Sequence, residues 1–245
     1  MSNPDIDSVV LDAGTLAFTN RVLSSESLAA QIADRIRRRI PTSVIRQSDG
    51  ELGFIRYAQQ SQAGRTPTRA WYMYNAGWLK RYGVEGADYA EIGRALLYAG
   101  KNADYLGCPI AGTYWDDFAS YTAFPERTQF VDQFYPLFWE AAGRVGPILR
   151  MSSIMVLHHE ATAVCEALVE KYDLDVATGF PLNNWRDHTE ARMAVMESDA
   201  GIILVSGGPM GKAFCVDLAR DSGRVVLDVG EALGKVWCKW KGASP

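Results

Sequence analysis

The sequence predicts an α/β fold, a mostly parallel sheet covered by helices. Two observations carry this. Helix-periodic segments alternate along the chain with short apolar runs, in a helix-then-strand order that recurs. The stretch "GIILVSGGPMGKAFCVDLARDSGRVVLDVG" near the C-terminus reads as strand, glycine-rich loop, helix and strand, and its strands are apolar on consecutive residues, as in a sheet covered on both faces. No repeat, low-complexity tract or linker divides the chain, so residues 1–245 are read as one domain, with residues 1–22 irregular for want of any periodicity.

The elements follow in order. In "SSESLAAQIADRIRRRI", Leu28, Ile32, Ile36 and Ile40 recur every fourth residue behind a capping serine run, and Pro41 stops the helix. "SVIRQS" is a strand, "ELGFIRYAQQ" a helix and "SQAGRTPTR" a basic loop. After the aromatic run "WYMYNAGWLKRYG", a helix fits "DYAEIGRALLYAGKN", with Ile92, Leu96 and Ala99 on one face. "ADYLGCPI" is a strand and "GTYWDDFASYTAFPE" is irregular. Phe130, Phe134, Leu137, Phe138 and Ala141 have helical spacing, which predicts one helix over residues 127–145 with a kink at Pro136. A strand is expected in "PILRMSSIMVL", a helix in "EATAVCEALVEKY", a short strand near "DVATGF" and a helix in "RDHTEARMAVMES". "GIILVSGG" is the clearest strand. The helix "PMGKAFCVDLARDS" after it turns Phe214, Leu218 and Ala219 inward, and "RVVLDVG" closes the sheet.

Composition sets bounds on function. The formal net charge of −4 is wrong for a general nucleic-acid binder. Seven Trp and eleven Tyr are many for 245 residues, and serve either the core or platforms for sugars and bases. Cys108, Cys165, Cys215 and Cys238 form no C-x-x-C pair, so they read as reduced, buried thiols. "MSNPDIDSVV" is acidic, without the apolar run of a signal peptide, and no stretch approaches membrane-spanning length. A soluble cytoplasmic protein is expected, with no membrane span and its oligomeric state open.

Two constellations carry chemistry. In "SVIRQSDGELGFIRYA", Asp49 and Glu51 stand two apart at a strand end, facing one side if the chain is extended, with Gly50 allowing a bend. Two convergent carboxylates suit a hard divalent ion, Mg²⁺ or Mn²⁺. The plain alternative is a solvated turn with an acidic residue capping a helix. In "SGGPMGKA", Gly207, Gly208 and Gly211 let backbone N–H groups approach an anion at a helix start, and Lys212 adds a point charge. It is not a P-loop, because Ser206 stands where the first glycine belongs and Ala213 replaces the Ser or Thr that holds magnesium. A plain βαβ turn is the alternative.

Weaker candidates are "LHHEA" (His158 to Glu160), whose adjacent histidines lack metal-ligand spacing, and Asp187, His188 and Glu190, where D-x-x-E equally resembles a capping box. Trp71 and Trp78 are core residues or stacking platforms. Arg65 and Arg69 either close over phosphates or solvate their loop. The basic, aromatic tail "KVWCKWKG" is too short for a membrane role.

"SVIRQSDGEL" resembles the R-x-G-D-G-E segment of the GT-D fold glycosyltransferases, bacterial proteins first catalogued as a domain of unknown function (DUF1792). "YMYNAGWLKRYG" through "YLGCPI" is similar to that family's helix pair and following strand end. "ILVSGGPMGKAFCVDLARDSGRVVLDVG" resembles its closing GP loop, helix and strand. The resemblance runs in order over roughly residues 25 to 235. Ser48 stands in place of the family's glycine, and "VGPILRMSSIMVLHHEATA" replaces its usual middle segment.

The resemblance implies a Rossmann-like GT-D domain. It implies metal-dependent transfer of a sugar from a nucleotide-sugar, typically a UDP-sugar, to a saccharide, peptide or small-molecule acceptor. It puts the family's D-x-E motif on Asp49 and Glu51, with Mn²⁺ or Mg²⁺ there. Arg46 would pair with phosphate oxygens, and Lys212 with Gly207, Gly208 and Gly211 would complete the donor site. A base is unassigned, with Asp187, His188 and Glu160 the candidates by chemistry. The rival readings are a Rossmann-type methyltransferase or other nucleotide-dependent enzyme working through residues 204–212, and a catalytically degenerate transferase-fold binding subunit.

Overall fold

In the computed structural model, which describes residues 21–109, 124–125, 127–174 and 177–238 apart from the side chains of Asp49, Trp71 and Tyr72, eight strands form one sheet with every neighbouring pair parallel. In chain order the strands are β1 (Val22–Leu23), β2 (Thr42–Arg46), β3 (Tyr105–Cys108), β4 (Gln129–Asp132), β5 (Ile154–His158), β6 (Ala177–Phe180), β7 (Ile202–Ser206) and β8 (Val225–Asp228). Across the sheet the order is β1-β4-β3-β2-β8-β7-β5-β6. Parallel neighbours need crossovers, and the helices supply them.

The first crossover is α1 (Ser25–Arg38). Ser24 caps it by accepting from the Ser27 N–H, and Arg39 ends it in the left-handed region, with φ 53°. Between β2 and β3 lie α2 (Asp49–Gln62), α3 (Ala76–Arg81) and α4 (Tyr89–Asn102). Between β5 and β6 lies α7 (Ala161–Tyr172), and between β6 and β7 lies α8 (His188–Glu197). α9 (Gly208–Ser222) joins β7 to β8.

Alternation along each strand fills both faces. Val44, Tyr105, Ile202, Leu204, Val225 and Leu227 pack under Leu28, Ile32 and Leu168. Their neighbours Ile45, Leu106, Ile203, Val205 and Val226 pack under Cys215, Leu218, Ala219 and Val195. A third cluster joins Phe54 and Ile55 of α2 to Ile92 and Leu96 of α4. The mostly parallel, helix-covered sheet expected from the sequence is the one observed. All four cysteines are free, three of them buried and Cys238 partly so.

The expectation of one kinked helix over residues 127–145 is corrected. Residues 129–132 are β4, with Phe130 and Val131 both fully buried against opposite faces of the sheet, a period of two. The helix α5 (Tyr135–Ala141) begins only afterwards, and Pro136 sits in its first turn, where its missing N–H removes no helical bond. The apolar spacing misled because the buried residues of α5 are Tyr135, Pro136 and Trp139, while Phe134, Leu137 and Phe138 are exposed. In "PILRMSSIMVL" the strand is β5, preceded by the short helix α6 (Val145–Leu149). Most of "GTYWDDFASYTAFPE" and the end of the basic tail lie outside the described residues.

Candidate active site

β2, β8 and β7 are adjacent in the sheet, and at their carboxyl ends the two sequence constellations meet. β2 ends at Arg46 and leads through Ser48 into α2, while β7 leads through Gly207 into α9. Both helices therefore present their N-terminal turns here, where backbone N–H groups lack helical partners and the helix dipole favours negative charge.

α2 begins at Asp49, not after the acidic triplet, and this corrects one argument from the sequence. The extended-chain geometry that put Asp49 and Glu51 on one side does not apply. In helical backbone the two positions lie about 200° apart around the axis. Glu51 is instead the third helical residue behind the cap Ser48, whose N–H (2.8 Å) and Oγ (3.0 Å) both donate to Glu51 Oε2. The other oxygen, Oε1, accepts from Lys212 Nζ at 2.6 Å. Both residues are buried, Glu51 4% and Lys212 8% exposed. Burial pushes the Glu51 carboxyl up, but the Lys212 ammonium and the Ser48 donors outweigh it and hold it below the ordinary carboxylate value.

A second ion pair lies one strand away. The carboxylate Oδ2 of Asp228, at the end of β8, accepts from the Arg46 N–H (3.0 Å) and from Arg46 Nε (3.3 Å). Arg46 Nη1 donates to the Gln133 carbonyl at 3.3 Å. Burial opposes the guanidinium charge, yet Asp228, helped by Tyr135 and Glu51, raises the Arg46 pKa. Gly230 closes the cradle. Its φ is +50°, and a Cβ there would lie 1.7 Å from Arg46 Nη2.

The glycines of the α9 loop answer to packing. Gly208 has φ +56°, and a Cβ on it would meet the Tyr82 ring at 2.8 Å. Cβ atoms on Gly207 and Gly211 would strike Leu182 (2.4 Å) and Val205 (2.6 Å). The Tyr82 and Trp78 rings meet at a tilt of 42° with centroids 4.4 Å apart, and Trp78 approaches Gly50. The Tyr82 hydroxyl donates to Glu231 Oε1 at 2.9 Å. Glu231 also takes Arg81 (3.1 Å) and Lys235 (2.6 Å), which ties α3 to the turn after β8. Burial and then the Glu231 carboxylate push the Tyr82 pKa up to about 12. An aromatic wall thus stands beside Gly50 and Gly208, at the starts of α2 and α9.

Arg46, Glu51, Lys212 and the glycine loop are therefore brought together; the Asp49 and Trp71 side chains lie outside the described set. The weaker candidates are engaged locally. His158 Nδ1 accepts from the Glu160 N–H at 2.9 Å, and its ring stacks on His159. Asp187 accepts from the Asn183 and Asn184 N–H groups, so the capping box is Asn184–Asp187, three residues before the D-x-x-E pattern suggests. His188 Nδ1 lies 2.9 Å from the Trp185 carbonyl. Asp228, Tyr82 and Glu231 were missed. The available signal for Asp228 was an acid ending the apolar run "RVVLDVG" as Arg46 ends "SVIR".

A divalent ion at Glu51 would meet a donor set that is already committed. Each Glu51 oxygen is already engaged, Oε2 by both donors of Ser48 and Oε1 by the Lys212 ammonium at 2.6 Å. Among the described residues no group of three or more His, Cys, Asp or Glu converges as a metal site. As arranged, Glu51 does not fit a metal ion. A cleft of about 650 Å³ opens elsewhere, at the amino ends of β2, β3 and β4, lined by Arg35, Ser43, Asp104, Tyr105 and Gln129. Ligands of parallel α/β sheets bind at the carboxyl ends of the strands, so the ion-pair site is the candidate and the cleft is not.

Comparisons with known proteins bear on the fold. The chain has no match among curated proteins. Two solved structures resemble it. One is a selenomethionine-substituted domain of unknown function 1792, 13% identical, with a TM-score of 0.58 over 90% of this chain and 82% of that one. The other is described as a new glycosyltransferase (DUF1792) from Streptococcus sanguinis. It is 16% identical, with a TM-score of 0.57 over 91% of this chain and 86% of that one. At such identities the likeness is one of fold. The family model of the GT-D fold-like domain matches residues 23–236, nearly the whole described sheet and its helices, and the chain therefore belongs to the GT-D-like family.

Proposed function

We propose that this chain is a glycosyltransferase that takes a nucleotide-sugar donor, a UDP-sugar, and passes the sugar to a saccharide, peptide or small-molecule acceptor. The observation that carries the reading is the convergence of Arg46 and Lys212, from distant parts of the sequence, beside the starts of α2 and α9. Two cations and two helix N-termini suit a diphosphate. The Trp78–Tyr82 wall suits a base or a sugar ring. The family and the glycosyltransferase from Streptococcus sanguinis support the activity.

Arg46 makes the fork-like contact to phosphate oxygens, and Gly207, Gly208 and Gly211 shape the loop through which the α9 start meets the donor. The resemblance puts the family's D-x-E motif on Asp49 and Glu51, and a Mn²⁺ or Mg²⁺ ion there would supply compensating charge only if Lys212 left Glu51. The engaged state of Glu51 equally favours a second reading, a transferase-fold subunit that binds a nucleotide without turning it over.

The test is product analysis. Purified chain is incubated with a panel of UDP-sugars, and sugar release or transfer is measured by mass spectrometry. Thermal shift is run in parallel with UDP, S-adenosylmethionine and dinucleotides. Release of UDP supports the transferase. Stabilisation by UDP without any turnover supports the binding subunit, and stabilisation by S-adenosylmethionine alone sinks both in favour of a methyltransferase.

A further inference from the structure

The Glu51–Lys212 pair has a consequence for the charge chemistry of the site, given the donor reading above. A divalent ion bound to Glu51 would sit about 2.0–2.6 Å from a carboxylate oxygen and bring two positive charges. Lys212 Nζ already lies 2.6 Å from Oε1, and the opposite oxygen is held by both donors of Ser48. The ammonium thus stands where such an ion would be held, and it repels any cation that approaches.

The lysine is rooted there. It belongs to the first turns of α9, whose start is packed by Gly208 against Tyr82 and by Gly211 against Val205. Its burial means that moving Nζ away from Glu51 strands a carboxylate in the interior, which is costly. Among the described residues Glu51 is its one hydrogen-bond partner, so two of its three N–H donors remain for a ligand. The Glu51–Lys212 pair is neutral in sum, and the ammonium keeps donors that can serve a diphosphate.

We propose that Lys212 is the resident cation of this site and that the chain works without a divalent metal. In the transfer, the bond between the sugar's anomeric carbon and the diphosphate oxygen breaks, and its electron pair stays on that oxygen. An acceptor hydroxyl oxygen forms the new bond to the carbon and releases its proton to solvent. Lys212 forms and breaks no covalent bond in this step. It donates hydrogen bonds to the departing diphosphate, and Arg46, held by Asp228, supplies the second positive charge.

The experiment is UDP binding by calorimetry and UDP-sugar hydrolysis, each with the metal-stripped chain in excess EDTA and again in excess Mn²⁺ or Mg²⁺. The expected result is that affinity and rate agree within about twofold across the conditions. Lys212→Met loses tenfold or more of UDP affinity in EDTA, and Lys212→Arg keeps part of it. Binding of Mn²⁺ by the wild-type chain, followed through the Mn²⁺ electron-spin resonance signal, is expected to be absent.

UDP binding or turnover that vanishes in EDTA and returns with Mn²⁺ or Mg²⁺ overturns the proposal while leaving the glycosyltransferase reading intact. A chain that binds no nucleoside diphosphate under any condition overturns both. Should Lys212→Met fail to fold, the EDTA comparison on the wild-type chain decides by itself.

Discussion

Lys212 Nζ and Glu51 Oε1 lie 2.6 Å apart in the interior although 161 positions separate the residues in the chain. The contact couples the start of α2 to the start of α9 across β2, β8 and β7. Each partner makes the other's burial tolerable, and removing one leaves an uncompensated charge.

Glu51→Gln and Lys212→Met are each expected to destabilise the fold by about 3–5 kcal/mol. The double variant is expected to lose much less than the sum, because no charge is then stranded. Urea denaturation of the four proteins in a double-mutant cycle measures the coupling. Additive losses would show that the pair is not energetically a unit. The acid side follows from the same contact. The folded Glu51 carboxyl titrates below its unfolded value, so its contribution is complete above the ordinary carboxylate range and is lost as pH falls through the lowered value.

Gly230→Ala is expected to act on Arg46 rather than on the chain as a whole. The methyl would lie 1.7 Å from Arg46 Nη2, so the guanidinium must leave its cradle, and the φ of +50° adds strain of roughly 1–2 kcal/mol. UDP affinity should fall about as far as in Arg46→Ala, with the melting temperature dropping by only a few degrees. Calorimetry and thermal melts on both variants check this. Full UDP affinity in Gly230→Ala would detach Arg46 from the donor site.

The sheet and the two loops at its carboxyl edge were legible in the sequence because they depend on local signals. "GIILVSGG" and "SVIRQS" are apolar on consecutive residues, and "SGGPMGKA" carries glycines that packing demands. Residues 127–145 were not legible. The four-residue β4 shares Phe130 between a period of two and a period of 3.6, and four residues are too few to choose between them. The partners within the site were hidden for a different reason. Glu51 pairs with Lys212 and Arg46 with Asp228 only because β2, β8 and β7 are neighbours, and strand order is a tertiary fact that no local spacing encodes.

The packing of α2 on α4 predicts a contrast between two glycines. A Cβ on Gly93 would lie 2.0 Å from the Phe54 carbonyl oxygen, backbone that cannot rotate aside, whereas Gly64 has open space around it and only a φ of +67° to satisfy. Gly93→Ala is expected to cost about 3 kcal/mol or more by overpacking. Gly64→Ala should cost about 1 kcal/mol through its left-handed backbone. Chemical denaturation ranks them, and equal losses would mean that the helices can separate cheaply.

His158 sets the last expectation, which concerns pH. It ends β5, is 5% exposed, accepts from the Glu160 N–H through Nδ1 and stacks on His159 at 4.1 Å. Burial, with His159 adding to it, lowers its pKa to about 4. The unfolded chain takes up this proton near pH 6.5, and the folded chain does so only near 4. Between those values the unfolded state binds more protons, so stability falls as pH drops through that window. The loss from this one residue reaches about 3 kcal/mol by pH 4. His158→Asn keeps an acceptor near the Nδ1 position and removes the titration. Its stability, measured by urea denaturation from pH 8 to 4, should fall less steeply than that of the wild type between 6.5 and 4. Parallel curves would mean that His158 is protonated in the folded chain well above pH 4.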